Sequence, residues 1–154
     1  MHVTYSDQDL ERYDFEMDRR VVVTGMGAVT PLGCTVDTFW EGLKNGKCGI
    51  DLIQKFDTTD FKVKVGAEVK DFDPELYMSK KDVKRNDPYA VYALAAAVQA
   101  FDDSGLDMEK EDAAKVGVIV GSGIGGLMTM QEQVIRLHEK GPSRVSPLFI
   151  PMTI

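Results

Sequence analysis

Two short runs of β-branched residues constrain this chain more than anything else in it. Arg20-Val-Val-Val-Thr-Gly25 and Val116-Gly-Val-Ile-Val120, the second followed at once by Gly121, lack the apolar–polar alternation of a half-exposed strand. They read as strands buried on both faces. Such a strand needs neighbours beside it and cover above and below, so a chain with two of them builds a sheet with helices packed on it. The text between them supplies helices. Thr35 or Asp37 can cap one that carries Phe39, Trp40 and Leu43 on one face and stops at Gly46. Asp87-Pro88 is a cap followed by proline at the first helical position. From Tyr89 to Asp103, Ala93, Ala95, Ala96, Ala97 and Ala100 sit among Val91, Leu94, Val98 and Phe101, and Ser104-Gly105 ends the stretch. That stretch is apolar almost all round, so it predicts a buried helix whose alanines let neighbouring backbones come close. A third helical stretch, Leu127 to Lys140, is closed by Gly141-Pro142. Strands alternating with helices place the chain in the α/β class.

The connections are less regular. Met26 to Gly33 holds two glycines and Pro31 and predicts a loop, and Asp73-Pro74 predicts a turn. Phe61 to Val65 alternates strictly, as a half-exposed strand or hairpin arm does. A length of 154 residues is enough for one domain with a core of its own. Six acids and one arginine in residues 1–18 give that segment a charge of −5, leaving −2 of the total −7 for everything from Arg19 onward. The segment shows no period and predicts a disordered acidic extension before a domain over residues 19–154. An acidic balance argues against nucleic acid as a partner. Without an apolar run of about 20 residues or an N-terminal apolar core, the chain is expected to be cytoplasmic and not inserted in a membrane. The last residues, Pro147 to Ile154, form an apolar run with no cap or polar tail, and the chain reads as cut there.

Few constellations carry chemistry. Gly121-x-Gly123-x-x-Gly126 has the spacing of a dinucleotide fingerprint between strand and helix, but no acid follows about 20 residues later to hold a ribose. Close backbone packing is the competing reading. Cys34 and Cys48 have no histidine nearby to activate a thiolate, since His2 lies in the extension and His138 far along a helix. Two cysteines and two histidines also make a metal cluster unexpected, and no cofactor is called for. Asp102, Asp103 and Glu68 show no pairing that marks acid–base work. Ser79 to Asn86 carries Lys80, Lys81, Lys84 and Arg85 against one acid, a charge of +3. Helical spacing puts Lys81, Lys84 and Arg85 on one face, which reads either as a solvated surface or as a dock for an acidic partner.

Taken in order, Arg20-VVVTGMGAVTPLG33, Phe39-Trp-Glu41, Gly66-AEVKDFDP74, Gly121-SGIGG126, Gly141-P and Ser146-PLFIP151 resemble the N-terminal half of the β-ketoacyl-acyl carrier protein synthase II family. The resemblance runs unbroken over about residues 19–154. It implies a thiolase-like fold, here the incomplete N-terminal half of a βαβαβαββ pseudo-two-fold architecture, in a homodimer. It implies acyltransferase chemistry: a cysteine acylated by an acyl carrier protein thioester, and two histidines that help malonyl-acyl carrier protein lose CO₂ for a Claisen condensation. By the same resemblance the cysteine falls about two dozen residues beyond Ile154 and both histidines further on, so no catalytic residue is expected here.

The resemblance also assigns scaffold residues. Ile124 resembles the residue that reaches the bottom of the partner subunit's acyl pocket and limits chain length, and Phe149 resembles another interface residue lining it. Gly123 and Leu127 flank Ile124. Lys81, Lys84, Arg85 and Arg144 resemble positions that dock acidic acyl carrier protein, while Ser143 departs from a position where a cation is common. Two other readings stay open: a non-catalytic subunit that pairs with an active synthase, and a dinucleotide-binding module built on Gly121–Gly126.

Overall fold

Each longer helix begins where a side chain supplies an amide with a partner. In the computed structural model, which describes residues 20–154, α1 (Val36–Lys44) starts with Thr35 and Thr38 capping each other's backbone, and Gly46 follows its end at φ +63°. A four-residue helix, α2 (Lys80–Val83), is capped by Ser79. Helix α3 (Pro88–Ser104) is capped by Asp87 and stopped by Gly105 in the left-handed region, as the Asp-Pro and Ser-Gly signals require. Helix α4 spans Leu127–Lys140 and α5 spans Phe149–Thr153. Strands β1 (Asp51–Leu52) and β2 (Val65–Gly66) pair antiparallel, and the Lys64 carbonyl accepts from Ile53 N–H at 3.0 Å, so the alternating 61–65 segment becomes a hairpin arm only at its end. Asp73-Pro74 opens a 3₁₀ turn over Pro74–Leu76. The acidic extension falls outside the described residues, apart from which the fold is organised around α3.

The alanine face of α3 does admit a neighbouring backbone. It is the loop after the first apolar run. A Cβ on Gly27 would stand 1.9 Å from the Ala96 carbonyl oxygen and one on Gly25 would stand 2.1 Å from that of Ala100. Only glycine allows this approach. Polar side chains of α3 fasten the same loop: Met26 N–H donates to Asp103 Oδ2 at 2.9 Å and Ala28 N–H to Gln99 Oε1 at 3.2 Å. Gln99 Nε2 reaches on to the Cys34 carbonyl and the Tyr77 hydroxyl. Tyr77 stacks on Phe72, which meets Tyr92 of α3 edge-on at 5.1 Å.

The two apolar runs depart from expectation. Neither forms a strand, and both face solvent: Val21 is 89% exposed and Ile119 98%. A strand buried on both faces is held by backbone partners on either side and by side chains above and below. Among the described residues neither run pairs with another strand. The same lack of cover leaves Trp40 and Leu43 of α1 exposed, and limits full burial on α3 to Val91 and Ala95, with Leu94 and Phe101 partly in solvent.

Candidate functional site

The glycine loop 121–126 enters α4 under constraint from three directions. Within the loop, Gly125 N–H donates to Ser122 Oγ at 2.9 Å. From the chain's last helix, the Thr153 carbonyl accepts from Gly126 N–H at 2.9 Å, and the approach is so close that a Cβ on Gly126 would stand 2.3 Å from the Met152 oxygen. From α3 comes Asp87. Its Oδ2 accepts from both the backbone N–H and the hydroxyl of Thr129, each at 2.8 Å, while Oδ1 accepts from Tyr89 N–H. One carboxylate, 3% exposed, therefore caps two helices at once: its own α3 and, across the junction, α4, whose Gly126 has no side chain to offer. The Tyr89 hydroxyl closes the cluster on the Ile154 carbonyl.

This cluster brings the expected pocket residues into one region. Gly123 and Ile124 lie in the anchored loop, Leu127 follows it as the first residue of α4, and Phe149 begins the helix that packs on α4 and whose far end anchors that loop. Ile124 and Leu127 are exposed and Phe149 is partly so. The sequence marked Asp87 as a cap but gave no sign of its second bond, which joins residues 42 positions apart.

The anchoring also bears on the dinucleotide reading. A pyrophosphate at a helix N-terminus needs free amides and an unneutralised dipole. Here the Gly125, Gly126 and Thr129 amides already have partners, and Asp87 supplies the negative charge. The strand that the fingerprint requires before the loop is not formed.

The cations fall into two groups. In the first, Lys80 pairs with Glu75 at 3.4 Å, while Lys81, Lys84 and Arg85 enter no ion pair among the described residues. The expected shared helical face is a single turn, because α2 ends at Val83 and leaves Lys84 and Arg85 just past it. In the second, Arg144 sits in a 3₁₀ turn after α4 and lines a cleft of about 590 Å³ with Arg136 and Lys140. Sequence reading passed over Arg136 and Lys140; their i, i+4 spacing on one helix was the available signal.

The remaining chemistry-bearing residues serve the fold. The Cys34 thiol donates to the Lys70 carbonyl at 3.4 Å, and partial burial together with the charge of Asp71 pushes its pKa up, away from a thiolate. Cys48 is exposed and its thiol faces the Ile50 carbonyl. Glu68 accepts from the Gln54 and Lys55 amides, and these bonds, with Gln54's the stronger influence, hold its carboxyl below the usual range. His138 lies exposed in the last turn of α4, where the helix dipole favours it. Among the described residues no three His, Cys, Asp or Glu side chains gather as a metal site, and no helix is long and apolar enough to cross a membrane.

Residues 18–154 match the profile of a family described as beta-ketoacyl synthase, N-terminal domain. A 3-oxoacyl-[acyl-carrier-protein] synthase 2 from Vibrio harveyi is 52% identical over 136 residues, which cover 88% of this chain and 33% of that protein. The chain thus spans about a third of the length of the curated relatives it matches. Among solved structures, the ishigamide ketosynthase/chain length factor superposes with a TM-score of 0.73 at 28% identity, over 88% of this chain and 34% of that one. A type II acyl-carrier protein complexed with its hexaketide-bound ketosynthase superposes with a TM-score of 0.69 at 26% identity, over 86% and 34%. The fold is the thiolase-like α/β fold of the ketosynthases, in its N-terminal half.

Proposed function

Because this chain belongs to the β-ketoacyl synthase family, through that family's N-terminal domain, we propose that it forms the first part of a 3-oxoacyl-acyl carrier protein synthase that lengthens fatty acyl chains by decarboxylative Claisen condensation. The observation that carries this reading is the 52% identity over 136 residues to a relative named for that activity. The substrates are acyl and malonyl thioesters of acyl carrier protein, the assembly is a homodimer, and the setting is the cytoplasm. The domain runs over residues 19–154, after the acidic extension.

In this reading the chain's share of the work is binding and shaping. Condensation needs an activated thiolate, donors for an oxyanion and a deep apolar channel. Cys34 does not meet the first need, given its bonded thiol and raised pKa. The chain contributes to the third: Ile124 and Phe149 line the acyl channel, with Gly123 and Leu127 beside Ile124. A hydrophobic end-stop works only if the backbone beneath it is fixed, and the bonds from Thr153 and Asp87 at the loop and the start of α4 supply that rigidity. Lys81, Lys84, Arg85 and Arg144 receive the carrier protein.

A graft tests this. Residues 19–154 replace the matching third of the Vibrio harveyi relative, and condensation of acyl and malonyl carrier thioesters is expected to persist. Substituting Ile124→Ala in the graft is expected to lengthen the products. A soluble, dimeric graft that never condenses, or one with unchanged products after Ile124→Ala, counts against the reading. The 154-residue chain by itself is expected to gain no acyl mass when incubated with acyl carrier thioester, and an adduct on Cys34 or Cys48 would overturn its role as scaffold.

A further inference from the structure

Asp87, Thr129 and Gln133 are the buried polar side chains among the described residues, and all three act along one stretch of α4. Thr129 and Gln133 stand on that helix as an i, i+4 pair, while Asp87 reaches Thr129 from the start of α3. Apolar contact would also hold these elements together, but without direction. A buried hydrogen bond adds a fixed geometry, because losing it leaves a polar group unpartnered in the interior.

Followed from bond to bond, the contacts close on themselves. Gln133 Oε1 accepts from Ser146 N–H at 2.8 Å. Ser146 in turn accepts from Leu148 N–H with its hydroxyl, at 3.1 Å, and from Phe149 N–H with its carbonyl, at 3.0 Å. Phe149 opens α5, where its own carbonyl accepts from the Thr153 hydroxyl at 2.7 Å. The Thr153 carbonyl accepts from Gly126 N–H at 2.9 Å, and Gly126 leads along α4 back to Gln133. The result is a ring with α4 on one side, about 10 Å from Gly126 to Gln133 at helical rise, and α5 on the other. Asp87 pins the ring to α3 through Thr129, and Ile124 stands at its corner, in the turn that Ser122 closes on Gly125.

We propose that Gln133 is a positioning residue for acyl-chain specificity: by closing this ring through Ser146, it sets the spacing of Ile124 and Phe149 and so the depth of the channel. The inference rests on the channel reading given above and adds to it a residue that acts only through others. Ile124 and Phe149 lie on different elements, so the local chain does not fix their separation. A short helix attached at one end pivots, whereas one attached at both ends is held. Thr153 holds the far end of α5 to Gly126; the bond from Gln133 holds the approach to its near end. Without that bond, the end free to swing is the one that carries Phe149.

The Vibrio harveyi graft, assayed with acyl carrier thioesters of increasing chain length, tests the proposal. Gln133→Leu removes the acceptor at similar bulk. It is expected to leave kcat/KM unchanged for a short acyl thioester that stops before Ile124. Relative to that substrate, kcat/KM for chains just beyond the wild-type limit is expected to rise about tenfold, the effect of one methylene in an apolar pocket. Gln133→Glu, which keeps an acceptor of the same reach, is expected to retain the wild-type profile. Val91→Ala, a buried change on α3 outside the ring, is expected to lower stability and leave the profile alone. Hydrogen exchange on the 154-residue chain reads the ring without catalysis: Gln133→Leu is expected to speed exchange at Ser146 and Phe149, and unchanged exchange at both would overturn the proposal even where the variant graft does not fold. Equal losses at every chain length, or a shift from Val91→Ala as large as that from Gln133→Leu, would also overturn it and leave the channel reading standing. A soluble wild-type graft that never condenses removes the channel reading, and this inference with it.

Discussion

The helices that meet at the junction of α3, α4 and α5 and the two apolar runs are all marked in the sequence, yet among the described residues only the junction is completed. At the junction a few polar atoms do the joining: Asp87 serves two helix starts, and Thr153 and Tyr89 fasten the glycine loop and the last residue. These bonds are short-range and saturable, so a handful of partners suffices. The runs at 20–24 and 116–120 instead need continuous ladders and two covered faces, which the described residues do not provide. The difference teaches that a helix junction is a local solution, whereas a two-face-buried strand is a demand placed on the rest of a sheet.

The comparison can be broken most sharply at Asp87. Asp87→Ala strips partners from the Thr129 amide and hydroxyl and from the α3 cap, and is expected to cost about 2 to 4 kcal/mol. A fall in the urea midpoint of the 154-residue chain, with loss of amide protection at 125–129, would show it. A midpoint within error of wild type would mean the junction is held by something other than this carboxylate.

A gentler probe uses the hairpin, closed by a smaller lock of the same kind. Glu68 bonds two amides and its pKa is lowered, so its contribution is present above the ordinary glutamate value of about 4.3 and lost as pH falls through the depressed one. The Gln54 and Lys55 amide resonances are expected to shift together only once the pH falls below the ordinary glutamate range, while those of 116–120 stay still. The smallest effect is expected at Ile119. Being 98% exposed, it should accept Ile119→Ser with a change within about 0.5 kcal/mol, whereas the same substitution in the graft should be strongly destabilising if that run is then covered. A large loss in the isolated chain would show that the run is already buried there.

What could be read from the sequence follows the same division. The caps at Thr35 and Asp87, the stops at Gly46 and Gly105, and the limits of α4 depend on residues within a few positions of one another, and they appear where expected. The alanines of α3 announced a close neighbour without saying which, because nothing local to Ala96 and Ala100 points to Gly25 and Gly27. The runs were legible as apolar and β-branched, but pairing is a property of two segments and not of one. In the same way the expected pocket residues and Arg144 were assigned by resemblance alone, while the cleft that Arg144 borders with Arg136 and Lys140 required the turn at Gly141 to be seen in three dimensions.

The uncovered face of α1 has a use in the cuvette. Trp40 is the chain's single tryptophan, and it borders a largely apolar cavity of about 720 Å³ with Gly25, Met26, Phe39 and Ala100, next to the first exposed run. Trp40 is more than half exposed, so the chain carries its own emission reporter, expected to be red-shifted as it stands and to turn blue under any cover that closes over that face.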